Sequence, residues 1–197
     1  MFNLPLIASI SGSKVKSVCE VGVNEPDKCS VAPFTRNGAK TLLVEPLPWC
    51  VEHLRQEFPS ATVIEAACGF ENGTTILFDR GEGSWIQQVP AGMAPDEHAK
   101  HSGIKRDDFE EKYMRETRVL RFSDIDPGDL DVLCVDVEGA EWFVIEQMRS
   151  RPRMVRAETH FTHSGYKNPN LDKIMGHMAG LGYKVIGQDV SDTLWIL

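Results

Sequence analysis

The sequence predicts an α/β fold built on a mostly parallel central sheet with an antiparallel hairpin at its C-terminal edge. Three observations carry this. Apolar runs of roughly four to eight residues recur along the chain, as in strands buried on both faces of a sheet. Helical segments and loops separate the runs, which implies parallel strands joined by right-handed crossovers. The last two runs are split only by Val190, Ser191 and Asp192, a hairpin spacing.

Taken in order, strands are expected at 17–23, 41–45, 62–66, 74–78, 118–122, 132–137, 154–159, 183–188 and 193–197. Helices are expected at 28–38, at 47–58 where Pro59 closes the pattern, at 139–149 and at 169–181. The last follows Asn168-Pro169, an N-cap residue and a first-turn proline, and stops at Gly182. The opening Met-Phe-Asn-Leu-Pro-Leu-Ile lacks a basic leader and the length of a signal-peptide core, so it reads as a terminal arm or short packing helix. Residues 80–117 break the alternation, being charge-dense and punctuated by glycine and proline. An insertion of that length is commonly functional, and Ser84, Trp85, Tyr113 and Met114 make it a candidate acceptor lid. All of this fits one domain over residues 1–197.

With 42% hydrophobic and 25% charged residues the chain is an ordinary globule. Its 21 Lys and Arg against 29 Asp and Glu give a net charge of −8, which argues against a nucleic-acid partner. No run approaches the ~18 apolar residues of a membrane span. The 5 cysteines are widely spaced and form no zinc or redox pair. Cys19, Cys68 and Cys134 lie in apolar runs and read as core residues of a cytoplasmic protein.

Ligands of open α/β sheets bind at the carboxyl ends of strands, and three strand ends carry suitable chemistry. Glu20-Val21-Gly22-Val23-Asn24 ends the first strand on a glycine that permits a sharp turn. Val44-Glu45-Pro46 ends the next on a carboxylate, at the spacing from Gly22 that suits a nucleoside ribose. Asp136-Val137-Glu138-Gly139-Ala140-Glu141 places acids where a strand meets a helix. Such acids need a cationic or hydrogen-bonding partner, or serve the helix N-terminus, a reading open to Glu138 and Glu141.

The series VCEVGVN, VEPLPWCVEHLRQEFP, VIEAACGFENGT, VDVEGAEWFVIEQM, VRAETH and LGYKV resembles the FkbM-type methyltransferases, a branch of the class I S-adenosylmethionine-dependent enzymes with a Rossmann-like fold. The resemblance implies S-adenosylmethionine as cofactor. It implies that Glu20, Gly22 and Asn24 hold the methionine part, Glu45 with Pro46 the ribose, and Glu65, Ala66 and Ala67 the adenine. It places Asp136 and Glu138 near the amino-acid end and the transferred methyl group. Three departures stand out: Val23 and Pro26 replace small residues of the first loop, Cys134 stands where the family commonly has lysine, and only about 16 residues precede the first strand.

The acceptor implied by the resemblance is a hydroxyl on a small molecule, sugar or secondary metabolite, with an amide or amine nitrogen as the alternative. A hydroxyl acceptor calls for a base, and the candidates are His160, Asp136 and Glu158. His160 is preferred for its ordinary pKa near 6.5, with His163 behind it. The pairs His98 with His101 and His160 with His163 lack a carboxylate at zinc-motif spacing, so no metal is expected. Trp49 and Trp142 are expected to pack in the core or cofactor pocket. A nicotinamide enzyme is disfavoured because Gly22 is followed by Val23, Asn24, Glu25, Pro26 and Asp27 rather than further glycines. A non-catalytic cofactor-binding module remains as the other class. With so much of the chain spent on the cofactor sheet, a homo-oligomer could complete acceptor recognition.

Overall fold

The longest apolar runs assemble into a seven-stranded sheet in the computed structural model, which describes residues 2–10, 14–79, 83–87, 113–160, 168 and 170–197. In chain order the described elements are α1 (Leu4–Ile10), β1 (Ser17–Val21), α2 (Ala32–Arg36), β2 (Lys40–Glu45), α3 (Pro48–Glu57), β3 (Thr62–Glu65), β4 (Ala67–Cys68), β5 (Gly73–Phe78) and β6 (Trp85–Ile86). They continue with β7 (Met114–Leu120), α4 (Phe122–Ile125), β8 (Val132–Val135), α5 (Glu141–Glu146), β9 (Met154–Glu158), α6 (Leu171–Gly180), β10 (Lys184–Gln188) and β11 (Asp192–Ile196).

The large sheet runs β3-β2-β1-β8-β9-β11-β10. Pairings from β3 through β9 are parallel, and β11 is antiparallel to both its neighbours. The expected hairpin is therefore present, but its second strand lies inside the sheet and β10 alone forms the edge.

Period-two alternation divides the strands between two cores. Val18, Leu43, Val132, Cys134 and Leu194 face Leu4 of α1, Phe34 of α2 and Leu54 of α3. Cys19, Val21, Leu133, Val135 and Val155 face Phe122 of α4, Ile145 of α5 and Ile174 and Met178 of α6. Helices thus cover both faces, and β1 and β8 are buried throughout. All five cysteines are buried and free, with burial pushing the Cys68 thiol up to about 12.

Two expected strands belong to a different sheet. Residues 74–78 and 118–122 were expected among the parallel strands, but β5 and β7 pair antiparallel in a separate sheet ordered β4-β7-β5-β6. An apolar run reports burial, not which sheet buries it. β7 also starts at Met114, so 114–117 of the expected insertion is regular strand, and 122 opens α4. The first strand stops at Val21 rather than 23, because Gly22 turns the chain at φ 78°. The expected helices shorten to the bounds of α2, α3, α5 and α6, most at 28–38 and 139–149. Asn168 is not the cap of α6, whose N-cap is Asn170; its Oδ1 instead accepts from Asn170 N–H at 2.9 Å. Trp49 is exposed on α3, whereas Trp142 packs edge-on against His177 at the rim of the second core.

Asp126 ties the loop before β8 to the loop that follows α5. Its Oδ2 accepts from Arg149 and Ser150 N–H at 2.7 and 2.8 Å, and its Oδ1 accepts from Gly128 N–H and the Ser150 hydroxyl. Asp126→Ala strands these buried donors and should cost about 3 kcal/mol or more. A denaturant titration checks this; a loss below about 1 kcal/mol would show that the loops close without it.

Candidate active site

Strand order reverses between β1, which leads outward to β2 and β3, and β8, which starts the other half. Ligand crevices open at such a switch point. Here the crevice floor is a backbone contact: a Cβ on Gly22 would run into the Asp136 carbonyl. Gly22 also sits at φ 78°, so two independent requirements demand glycine.

Three carboxylates brace the loops around that contact. Glu45 Oε2 accepts from Val23 and Asn24 N–H at 3.1 and 2.8 Å, and its Oε1 from Leu47 N–H at 2.9 Å. Glu20 accepts from Ser30 and Val31 N–H, both at 3.1 Å, and from the Cys29 thiol at 3.2 Å. Glu141 Oε1 accepts from Gly139 N–H at 2.9 Å and Val137 N–H at 3.4 Å, while its Oε2 accepts from Asn168 Nδ2 at 3.2 Å. All three are buried. Desolvation pushes each carboxyl above its ordinary range despite the backbone donors.

The strand ends also carry unusual backbone. Asn24, Glu138 and His160, beyond β1, β8 and β9, adopt left-handed φ of 58°, 49° and 48°. Asparagine and histidine are among the side chains that tolerate this best, but glutamate does so rarely. Such conformations concentrate at functional sites.

Between these ends lies a cavity of about 280 Å³. One flank is apolar, with Val44, Leu47, Ala66, Ala67, Leu77 and Ile86. Trp85 joins it, stacked on Phe78 at 5.4 Å between ring centroids. The opposite flank is acidic, with Asp136, Glu138 and Glu158. Burial, then Glu138, Glu141 and Asp192, pushes the Glu158 carboxyl up to about 9. Burial and then Glu158 and Glu138 hold Asp136 well above the carboxylate range.

Of the sequence-derived candidates, Glu20, Gly22, Asn24, Glu45, Pro46, Ala66, Ala67, Asp136, Glu138 and Glu158 all line this cavity. Glu65 does not: it ends β3 exposed to solvent. His160 does not line it either. Its Nε2 lies 3.3 Å from Glu158 Oε2, behind the carboxyl that reaches the cavity. From the insertion, Ser84 and Trp85 reach the cavity wall, whereas Tyr113 and Met114 are partly exposed away from it. His98, His101 and His163 lie outside the described residues.

Sequence reasoning missed Arg156, Lys28 and Ser30, which line the cavity near Glu20. A signal for Arg156 existed: an arginine inside an apolar strand run must find buried partners. It also missed that Glu138, Glu158 and His160 each offer a ligand atom within 4.8 Å of the others.

A crevice at a switch point, floored by glycine and walled by acids, suits a nucleoside cofactor that carries positive charge. The Methyltransferase FkbM domain model matches residues 20–185, and the chain belongs to that family. It is therefore a methyltransferase that uses S-adenosylmethionine. The fold is shared with magnesium protoporphyrin IX methyltransferase from Synechocystis PCC 6803, solved with bound SAM and with bound SAH. Each has TM-score 0.50 and 9% identity, covering 98% of this chain and 76% or 80% of that one. A TehB-like SAM-dependent methyltransferase from Corynebacterium glutamicum aligns at TM-score 0.49 and 9% identity, over 98% of this chain and 85% of that one. No curated protein matches.

The lining fits this cofactor. Its ammonium and sulfonium suit an acidic flank, and its adenine suits an apolar one. Gly22→Ala should destabilise the fold by more than about 1 kcal/mol, since alanine resists positive φ and the Asp136 carbonyl fills the space. Binding of S-adenosylhomocysteine should be lost with it. Calorimetry and a melting curve check both; wild-type affinity in the variant would show that the floor can rearrange.

Proposed function

We propose that this enzyme methylates a hydroxyl of a small molecule, sugar or secondary metabolite, with Glu158, Asp136 and His160 handling the proton. S-adenosylmethionine supplies an activated methyl group on a sulfonium. A hydroxyl oxygen must shed its proton as it attacks, so an acceptor group is needed at the cavity wall. The observation that supports this is the stack at the end of β9: Glu158 lines the cavity and His160 Nε2 stands 3.3 Å behind it.

His160 therefore acts through Glu158 rather than on the acceptor directly. Glu20, Gly22 and Asn24 shape the methionine end. Glu45 receives the ribose on Oε1, which keeps one lone pair after Leu47, whereas Val23 and Asn24 fill both on Oε2. Ala66 and Ala67 flank the base. The acidic flank and the net charge of −8 favour a neutral or cationic small acceptor over nucleic acid.

Transfer of a labelled methyl group to a panel of sugar and phenolic hydroxyls, with the product linkage read by NMR, tests the reading. N-methyl products alone would overturn it. Glu158→Gln should lower turnover at saturating S-adenosylmethionine roughly 10²- to 10⁴-fold. Unchanged turnover would remove Glu158 from the proton path.

The raised carboxyls make binding pH-dependent. In the free protein burial and the neighbouring acids push the Glu158 carboxyl up to about 9, above its unfolded value near 4.3. Folded protein thus holds a proton that the unfolded chain releases, and this group's contribution to stability falls as pH rises through that window. A cationic ligand favours the ionised carboxylate, so the sign reverses for binding. Affinity for S-adenosylmethionine should rise from about pH 5 to 9, with proton release measurable by calorimetry in buffers of different ionisation enthalpy. Proton uptake would contradict it.

One geometry favours a second reading. Glu138, Glu158 and His160 present their ligand atoms within 4.8 Å of one another, and two carboxylates with an imidazole suit a divalent cation such as Mn²⁺. A cation there would acidify a bound hydroxyl in place of the relay. Paramagnetic resonance with Mn²⁺ separates the two. Saturable binding that Glu138→Gln abolishes, with chelator-sensitive turnover, supports the cation; neither effect supports the relay.

A further inference from the structure

An amino-acid ligand brings a carboxylate as well as an ammonium, and the described loop after β1 has almost no backbone donors left for it. Gly22 N–H donates to the Val44 carbonyl at 2.9 Å, and Val23 and Asn24 N–H donate to Glu45. Lys28 and Cys29 N–H donate to the carbonyls of Glu25 and Pro26 at 2.9 and 3.4 Å. Ser30 and Val31 N–H donate to Glu20. Pro26 has no N–H to offer. The remaining amides of the loop, those of Glu25 and Asp27, belong to residues that do not line the cavity, so a carboxylate arriving here is met by a side chain.

Among the described residues, two cations line the cavity, Lys28 and Arg156. Arg156 stands in the middle of β9, paired with Cys134 on one side and Leu194 on the other. Its guanidinium is held on two sides. One Nη donates to Ser30 Oγ at 2.7 Å and the other to Asp192 Oδ2 at 2.8 Å. Its Nε, by contrast, has no hydrogen-bond partner among the described residues, in a side chain only 10% exposed. Of five N–H donors these two bonds use two. A buried arginine with donors to spare, fixed in direction and bordering the cavity beside Ser30, is a preformed carboxylate clamp.

We infer that Arg156 forms the subsite for the α-carboxylate of the cofactor's methionine moiety, with Lys28 adding charge at its rim. This rests on the cofactor assignment and adds a polarity to it. The carboxylate lies toward Arg156 and Ser30, and the ammonium and sulfonium toward Asp136, Glu138 and Glu158. Arg156 is a positioning residue: it orients the ligand and touches no reacting atom. Its location on β9, next to Glu158 by a single intervening residue, ties cofactor orientation to the strand that carries the proton acceptor.

The test compares S-adenosylhomocysteine with its decarboxylated analogue by calorimetry, on the wild-type protein, Arg156→Lys and Arg156→Gln. Wild type should prefer the carboxylate-bearing ligand by roughly 10- to 100-fold, as expected for a charge-assisted pair. Arg156→Gln should bring that ratio close to one, and Arg156→Lys should fall between. Because the ratio is taken within each variant, a general loss of affinity cancels. An undiminished ratio in Arg156→Gln would overturn the assignment, as would equal binding of both ligands by wild type. Should the glutamine variant fail to fold, an undiminished ratio in Arg156→Lys would do the same. Failure of wild type to bind either ligand would instead overturn the cofactor reading itself.

Discussion

The close approach of Gly22 to the Asp136 carbonyl is the constraint from which the rest of the site follows. It brings the ends of β1 and β8 together at the point where strand order reverses, and any side chain at residue 22 would wedge them apart. Once the two strand ends touch, the loops that follow them must diverge to opposite sides. One carries Val23 and Asn24 toward Glu45; the other carries Val137 and Gly139 toward Glu141. The crevice is the space those diverging loops leave.

Carboxylates then divide into two populations with opposite physics. Glu20, Glu45 and Glu141 are buried against backbone N–H groups, which offset part of the desolvation cost by stabilising the ionised carboxylate. Each fixes a loop that would otherwise leave donors unpaired. Asp136, Glu138 and Glu158 crowd one another instead, and burial makes that repulsion worse. In the free protein the second group is tolerated because Asp136 and Glu158 stay protonated, and the cavity its members line is one that a cation can enter. Bracing and binding thus use the same residue type, told apart by whether the partner is the chain itself.

Much of this was legible in the sequence because it lies at strand ends. An apolar run followed by Gly22, by Glu45-Pro46 or by Asp136-Val137-Glu138 announces both the strand and its functional terminus. What alternation could not show is which sheet a run joins, so β5 and β7 were assigned to the wrong one. Nor could it show where a side chain points once the strand pattern breaks. His160 has the parity of Arg156 and Glu158, but its φ of 48° turns it off that row and behind Glu158. Glu65 ends β3 in register with Glu45, yet it is exposed, because edge strand β3 has no covering neighbour. Arg156 was overlooked because its run reads as core, and its partners Ser30 and Asp192 are 126 and 36 residues away.

These long-range partners explain why one arginine can matter to a site that holds so many acids. Arg156 draws the loop after β1, through Ser30, and the junction of the preceding turn with β11, through the strand's first residue Asp192, onto a single strand. Nearby, Thr159 and His160 N–H both donate to the Ser191 carbonyl, at 2.6 and 2.7 Å, so the end of β9 is fastened to that same turn. The carboxyl flank is thereby held rigid while it is still electrostatically unfavourable. Rigidity prevents the acids from relaxing apart, so their repulsion is relieved by protonation in the free protein and, on binding, by a cationic ligand that displaces those protons. Favourable binding then comes from a site that was organised, at a cost to stability, before the ligand arrived.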